Sequence, residues 1–270
     1  MLLHTGGVPG RPVPRELATP AFVLRTRPYG ESDRIVTLMT EQHGKLTGIA
    51  KGAKNSRRRF GGTLEPFVRI LAVFQQRSAS DLVFLLRCEL LGVWRAFTRD
   101  LDRFAAGSYV LELTDLMVLG REPGREVYRL LYDALALLDG GAPTEPVLRA
   151  FELHLLAATG YAPVLDHCRA CGAAGGEADL LYLTVERGGF VCRTCVRPGE
   201  TVRPTAAATV RELARLAASP LADAAAGTDR KVLAEAASVA EQLIGAVASG
   251  PIHARELIAR ARVDSLRGVR

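Results

Sequence analysis

What the chain lacks narrows its function first. No apolar run exceeds a few residues, Leu180-Leu181-Tyr182-Leu183 being typical, whereas a bilayer-spanning helix needs about 20. The opening residues, MLLHTGGVPGRPVPREL, have neither a basic start nor an apolar centre. They do not read as a secretory leader, and a cytoplasmic protein is expected. There is no Walker A motif, no GxSxG elbow, no HExxH pair and no glycine-rich dinucleotide turn. His4, His43, His154, His167 and His253 are scattered, and no acidic cluster suggests a two-metal nuclease. Glu31 and Asp33 flank a turn and read as structural. An enzyme is not expected.

What is present is an ordinary globular composition with a lopsided charge. The 270 residues are 48% hydrophobic and 24% charged, enough for one to three packed domains. Residues 1–79 hold 13 Lys+Arg against 5 Asp+Glu, while residues 80–270 hold 22 against 24. A basic N-terminal unit on a near-neutral body points to one anionic partner at one end, most often nucleic acid.

Hydrophobic periodicity divides the chain. Ala21–Leu24, Arg34–Thr40, Leu46–Ala50, Phe67–Gln75 and Leu82–Leu86 read as five short strands, the last apolar enough to be buried on both faces. Five strands in so short a span suit an OB-type barrel better than a sandwich. Beyond Trp94 the period becomes helical, with helices expected around Phe97–Leu111, Val127–Leu138, Glu145–Ala158, Thr205–Ala218 and Asp229–Ala248. The expected fold is therefore α+β and multidomain: a five-stranded OB-type β-barrel, then an all-helical domain with an inserted zinc ribbon. Its divisions are a disordered arm 1–18, a barrel 19–92, helices at 93–165, a ribbon 166–200, helices at 201–250 and a basic, frayed tail 251–270.

The ribbon rests on Cys168-x-x-Cys171 and Cys192-x-x-Cys195, two pairs with twenty residues between them. Paired thiolates at this spacing converge on one ion, and two pairs complete the tetrahedral sulfur shell that zinc prefers. Disulfides and a redox CxxC are the alternatives; the first lacks a secretion signal and the second a βαβ context. Four thiolates leave no open position, so one structural Zn2+ is expected and water activation is not. Cys88 reads as core, and His167 could replace a ligand but is not needed. The ribbon's own charge is slightly negative, which fits a structural staple better than a phosphate surface.

Residues 51–62 carry Lys51, Lys54, Arg57, Arg58 and Arg59 with no acid. Charges so dense resist burial, so either a polyanion neutralises them or solvent screens them. Asn55 and Ser56 could add hydrogen bonds to phosphate, and Phe60 could stack on a base or anchor the core. Arg25, Arg27, Arg34 and Lys45 in neighbouring strands could extend the patch.

The stretches Gly30-Glu31-Ser32-Asp33-Arg34-Ile35-Val36-Thr37-Leu38, His43-Gly44-Lys45, Ala50-Lys51-Gly52 and Phe60-Gly61-Gly62-Thr63-Leu64-Glu65-Pro66-Phe67 resemble the N-terminal OB domain of the recombination mediator family RecO. The order that follows, helices, a CxxC pair, a hairpin, a second pair and more helices, is similar too. The resemblance covers about residues 19–250. It implies a non-enzymatic protein of DNA repair and recombination, acting at the nucleoid. Such a protein would bind single- and double-stranded DNA and anneal complementary strands. It would associate with RecR and with the C-terminal tail of the single-stranded DNA-binding protein, and would help RecA load. It also implies that Lys45 and Lys51 lie on the DNA-facing strand and that the four cysteines are zinc knuckles. An RNA-binding barrel with a zinc ribbon, acting in translation or transcription, is the alternative that charge and cysteines leave open.

Overall fold

The computed structural model describes residues 15–76, 82–121, 124–174, 180–225 and 229–267. Most of the N-terminal arm expected to be disordered, residues 1–14, lies outside the described residues.

Five strands form the closed barrel: β1 (Glu16–Tyr29), β2 (Asp33–Thr40), β3 (Gly44–Ala50), β4 (Val68–Gln75) and β5 (Leu82–Val93). Around the ring the order is β1-β2-β3-β5-β4. All neighbours are antiparallel except β3 and β5, which pair in parallel from Thr47↔Leu82 to Ala50↔Leu85. A short helix, α1 (Arg57–Phe60), lies between β3 and β4. β1 begins before the expected start at Thr19, because Glu16, Leu17 and Ala18 already pair with Gln75, Phe74 and Val73. The expectation that Leu82–Leu86 is buried on both faces is corrected: burial alternates along β5, with Val83 and Leu85 inside and their neighbours only half-covered. The doubly buried strands are β1 and β2, the latter sending Val36 and Leu38 into the barrel and Met39 to the helical core. In β1, Ala21 and Val23 fill the barrel, while Phe22 and Leu24 join the helical core outside it.

The helical region comprises α2 (Leu101–Met117), α3 (Gly124–Asp139), α4 (Thr144–Ala158), α5 (Ala207–Ala218), α6 (Arg230–Gly245) and α7 (Ala254–Arg267). Asp100 caps α2 by accepting from the N–H groups of Asp102 and Arg103, and Asp229 caps α6 likewise. Between α4 and α5 lies a small sheet ordered β7-β6-β8: β6 (Leu180–Thr184), β7 (Gly189–Val191) and β8 (Arg203–Ala206). The hairpin turn falls at Val185–Gly188, with Gly188 at φ 63°. β8 was not foreseen; its last two residues, Thr205 and Ala206, fall where the sequence predicts the start of the following helix. The tail expected to fray is α7 instead. Its first N–H, that of Ala254, and the N–H of His253 just before it are met by the two oxygens of the Glu112 carboxylate of α2, and Ala254 and Ala261 are buried. A basic run alone gave no hint of that seat.

The barrel is locked to the helices. Phe22 packs against Trp94, Tyr128 and Tyr132, and Phe67, at φ 61°, stacks on Phe97. Gly44, at φ 63°, lies so close to Arg121 that a Cβ would come within 1.6 Å of its carbonyl oxygen. No helix among the described residues is long and apolar enough to cross a membrane.

Candidate nucleic-acid face and metal centre

The backbone of the basic segment after β3 is folded tightly, which fixes where its side chains start. Gly52, at φ 65°, reverses the chain and donates its N–H to Asp33 Oδ1 at 2.8 Å. That bond, with Lys51 3.6 Å away, holds the Asp33 carboxyl below the usual range. The N–H of Lys54 donates to Ser32, and its ammonium donates to the carbonyls of Gly30 and Glu31. Asp33 is thus structural, as its place at a turn suggested.

Several sequence candidates have other duties. Phe60 is only 3% exposed and closes the barrel core beside Leu64, so its ring is not available to a base. Burying a phenyl ring stabilises by roughly 1.5–3 kcal/mol, and here it anchors the charged loop. Arg59 braces the same loop: it donates to Ser56 Oγ at 3.0 Å and to the Lys51 carbonyl at 2.7 Å, and lies 5.1 Å from the Phe60 ring centre. Ser56 is therefore already engaged.

Lys45 corrects the sequence reading most sharply. Its ammonium reaches into the helices, donating to the carbonyls of Asp115 and Val118 and lying 2.7 Å from Asp115 Oδ1. Asp115, 8% exposed, also takes Arg25 at 3.1 Å. One carboxylate near the end of α2 thus ties β1 and β3 to the helical region. Breaking such a covered pair costs about 3 kcal/mol. Lys45→Ala is expected to lower the unfolding free energy measured by urea titration by about that amount, and the midpoint with it, while leaving the salt dependence of DNA binding unchanged. A loss of DNA affinity with an unchanged midpoint would return Lys45 to the binding face.

Arg25, Arg34, Lys51 and Lys54 remain exposed or half-exposed at the same end of the barrel, Arg34 paired with Glu65 at 3.2 Å. The side chains of Arg27, Arg57 and Arg58 make no hydrogen bond or ion pair among the described residues. They are the cations least committed to the fold. A cleft of about 500 Å³ is lined by Leu24, Thr26, Leu64 and Pro66 together with Arg25, Arg34 and Lys54.

The four cysteines converge. The Sγ atoms of Cys168, Cys171, Cys192 and Cys195 lie within 4.8 Å of one another, with Cys171 and Cys192 3.9 Å apart. A tetrahedral ion with about 2.3 Å bonds to sulfur places its ligands about 3.8 Å apart, so the cluster fits one. Burial raises the Cys168 thiol, but the backbone N–H groups of Cys192, Cys171 and Ala170 outweigh it and bring it to about 6. Hydrogen bonds to Cys192 and Cys171 push Cys195 to about 12. Four thiolates this close ionise together only around a cation. Each knuckle is a tight turn: the Gly172 N–H donates to the Cys168 carbonyl, and that of Cys195 to Cys192. His167 faces Asp166 instead and is not in the cluster. Glu200, missed in the sequence, fixes the second knuckle: it takes Arg187 at 2.5 Å, Thr184 at 2.9 Å and the Arg197 N–H at 3.0 Å. Cys88 is buried core, as expected.

Comparison with known proteins agrees with this architecture. The family model described as Recombination protein O N terminal matches residues 15–94, and Recombination protein O C terminal matches residues 98–246. The DNA repair protein RecO of Anaeromyxobacter sp. (strain K) is 43% identical over 203 residues, 75% of this chain and 80% of the relative. That of Geobacter metallireducens is 40% identical over 195 residues, 70% and 77% of the two chains. That of Myxococcus xanthus is 41% identical over 183 residues, 67% and 74%. These matches favour DNA repair over the alternative of an RNA-binding module in translation or transcription. The chain belongs to the RecO family of DNA repair and recombination proteins, which mediate recombination without being enzymes.

Proposed function

We propose that this protein binds single- and double-stranded DNA on the β1–β2 end of its barrel and anneals complementary strands. The observation that carries the reading is a set of exposed cations whose side chains have no partner among the described residues: Arg27 near the end of β1, and Arg57 and Arg58 on the braced loop. Arg25, Arg34, Lys51 and Lys54 flank them and complete a phosphate-binding surface. Phosphate contacts position a strand without reading its sequence and leave the base edges free to pair. Neutralising two polyanions on one surface lowers the repulsion that slows their pairing.

One structural Zn2+ held by Cys168, Cys171, Cys192 and Cys195 would keep the small sheet folded against α4 and α5. It would supply cross-linking of the chain and no chemistry. Family membership supports RecR and the C-terminal tail of the single-stranded DNA-binding protein as partners, RecA loading as the downstream effect and the cytoplasmic nucleoid as the location. The test is annealing of two complementary labelled oligonucleotides. The protein should accelerate pairing well above the spontaneous rate, with the gain lost as salt rises. Acceleration that is indifferent to salt, or absent, contradicts the proposal.

A further inference from the structure

The basic face lacks the aromatic that the sequence offered, since Phe60 is inside the barrel. Single-strand binders on OB folds usually pair a cationic groove with an exposed ring on which a base lies flat. Exposed aromatics are few. Among the described residues Phe104 packs edge-on against Phe67, Tyr132 against Trp94, and Tyr161 follows α4 in the helical region. Tyr29 alone stands amid the cations, and it is 52% exposed.

Its setting is built for contact. Tyr29 ends β1, paired with Asp33 of β2, and Pro28 before it restricts the backbone. Arg27 lies two residues earlier and so shares its face of the strand. Lys54 binds the carbonyls of the next two residues, Gly30 and Glu31, and Lys51 pairs with Asp33 across the strands. Glu31 is the acid of the same turn. Neither the ring nor the hydroxyl of Tyr29 has a partner among the described residues. A half-exposed ring at the end of a strand adds little to the core, and its apolar face is covered only when something planar lies on it.

Resting on the DNA-binding reading above, we propose that Tyr29 is a stacking site for one unpaired base, with Arg27 holding an adjoining phosphate. The ligand class is a single strand of nucleic acid. In a duplex both faces of each base are already stacked, so Tyr29 contributes to single-strand binding and not to duplex binding. Stacking releases no counterion, so it adds affinity without adding salt dependence.

The experiment compares wild type, Tyr29→Ala and Tyr29→Phe by fluorescence anisotropy on a labelled single strand and on a duplex of equal length, at several salts. Tyr29→Ala should weaken single-strand binding between about 5- and 100-fold, leave duplex binding within about twofold, and leave the log–log salt slope unchanged. Tyr29→Phe, which keeps the ring, should bind like wild type. An unchanged single-strand affinity for Tyr29→Ala overturns the stacking site, as does an equal loss on both forms of DNA. The Arg27, Arg57 and Arg58 variant run alongside separates the two readings. If that variant loses binding while Tyr29→Ala does not, the basic face stands and the stacking site fails. If neither changes, the basic face fails with it.

Discussion

Removing the metal from the four-cysteine cluster is expected to unfold the segment from Val164 to Ala206 and to lower the stability of the whole helical region. Structural zinc sites of four thiolates bind with about 10–16 kcal/mol of apparent free energy, comparable to the 5–15 kcal/mol that holds a typical domain folded. The segment cannot detach harmlessly, because Leu181, Leu183 and Phe190 are part of the main core with Val210 and Leu213. Cys168→Ser should have nearly the same effect, since it removes a buried ligand that also accepts the Cys192 N–H at 3.3 Å. Thiol counting gives a direct readout at pH 8. The zinc-loaded protein should show almost no reactive thiol, and a chelator should release four. The fifth, Cys88, is pushed up to about 12 by burial. Its folded value is raised above that of a free thiol, so the thiolate is scarce at pH 8 and reaction should require denaturant. A chelated protein that keeps its thermal midpoint contradicts a structural role for the metal.

Changing Arg27, Arg57 and Arg58 together to Ala is the other large expected effect. Single-strand affinity near physiological salt should fall by roughly 10- to 100-fold, from the loss of three charge-assisted phosphate contacts, and strand annealing should fall with it. Stability should change by less than about 0.5 kcal/mol, because these side chains are exposed and hold nothing in place. Arg59 is left intact by design. Its bonds to Ser56 and to the Lys51 carbonyl make it part of the loop's scaffold, and a variant lacking it would confuse folding with binding.

The barrel and the cysteine cluster were legible because their signals are local: alternating strands with turns between them, and thiols in pairs at fixed spacing. The errors arise where a residue's role depends on a partner far away in the chain. Lys45 looks like any other cation of the patch until Asp115, seventy positions later, claims it. Phe60 sits in a charged run, yet the barrel interior takes it because a buried ring outweighs an exposed one. The last basic stretch reads as a tail until Glu112 and the α2 surface give it a place to fold. β8 is short and runs straight into α5, so neither periodicity could reveal it. Tyr29 lies two residues from Arg27 in the sequence, but only the folded barrel brings Lys51 and Lys54 to its turn.

The most direct test of the central claim, that the free cations of the barrel form the DNA surface, is the salt dependence of single-strand binding by anisotropy for wild type and the triple Arg variant. Each phosphate contact to a single strand contributes about −0.7 to the log–log slope. The account predicts a slope flatter by about 2 in the variant, with fold and zinc content unchanged. Parallel lines for the two proteins would contradict it and move the DNA surface elsewhere on the molecule.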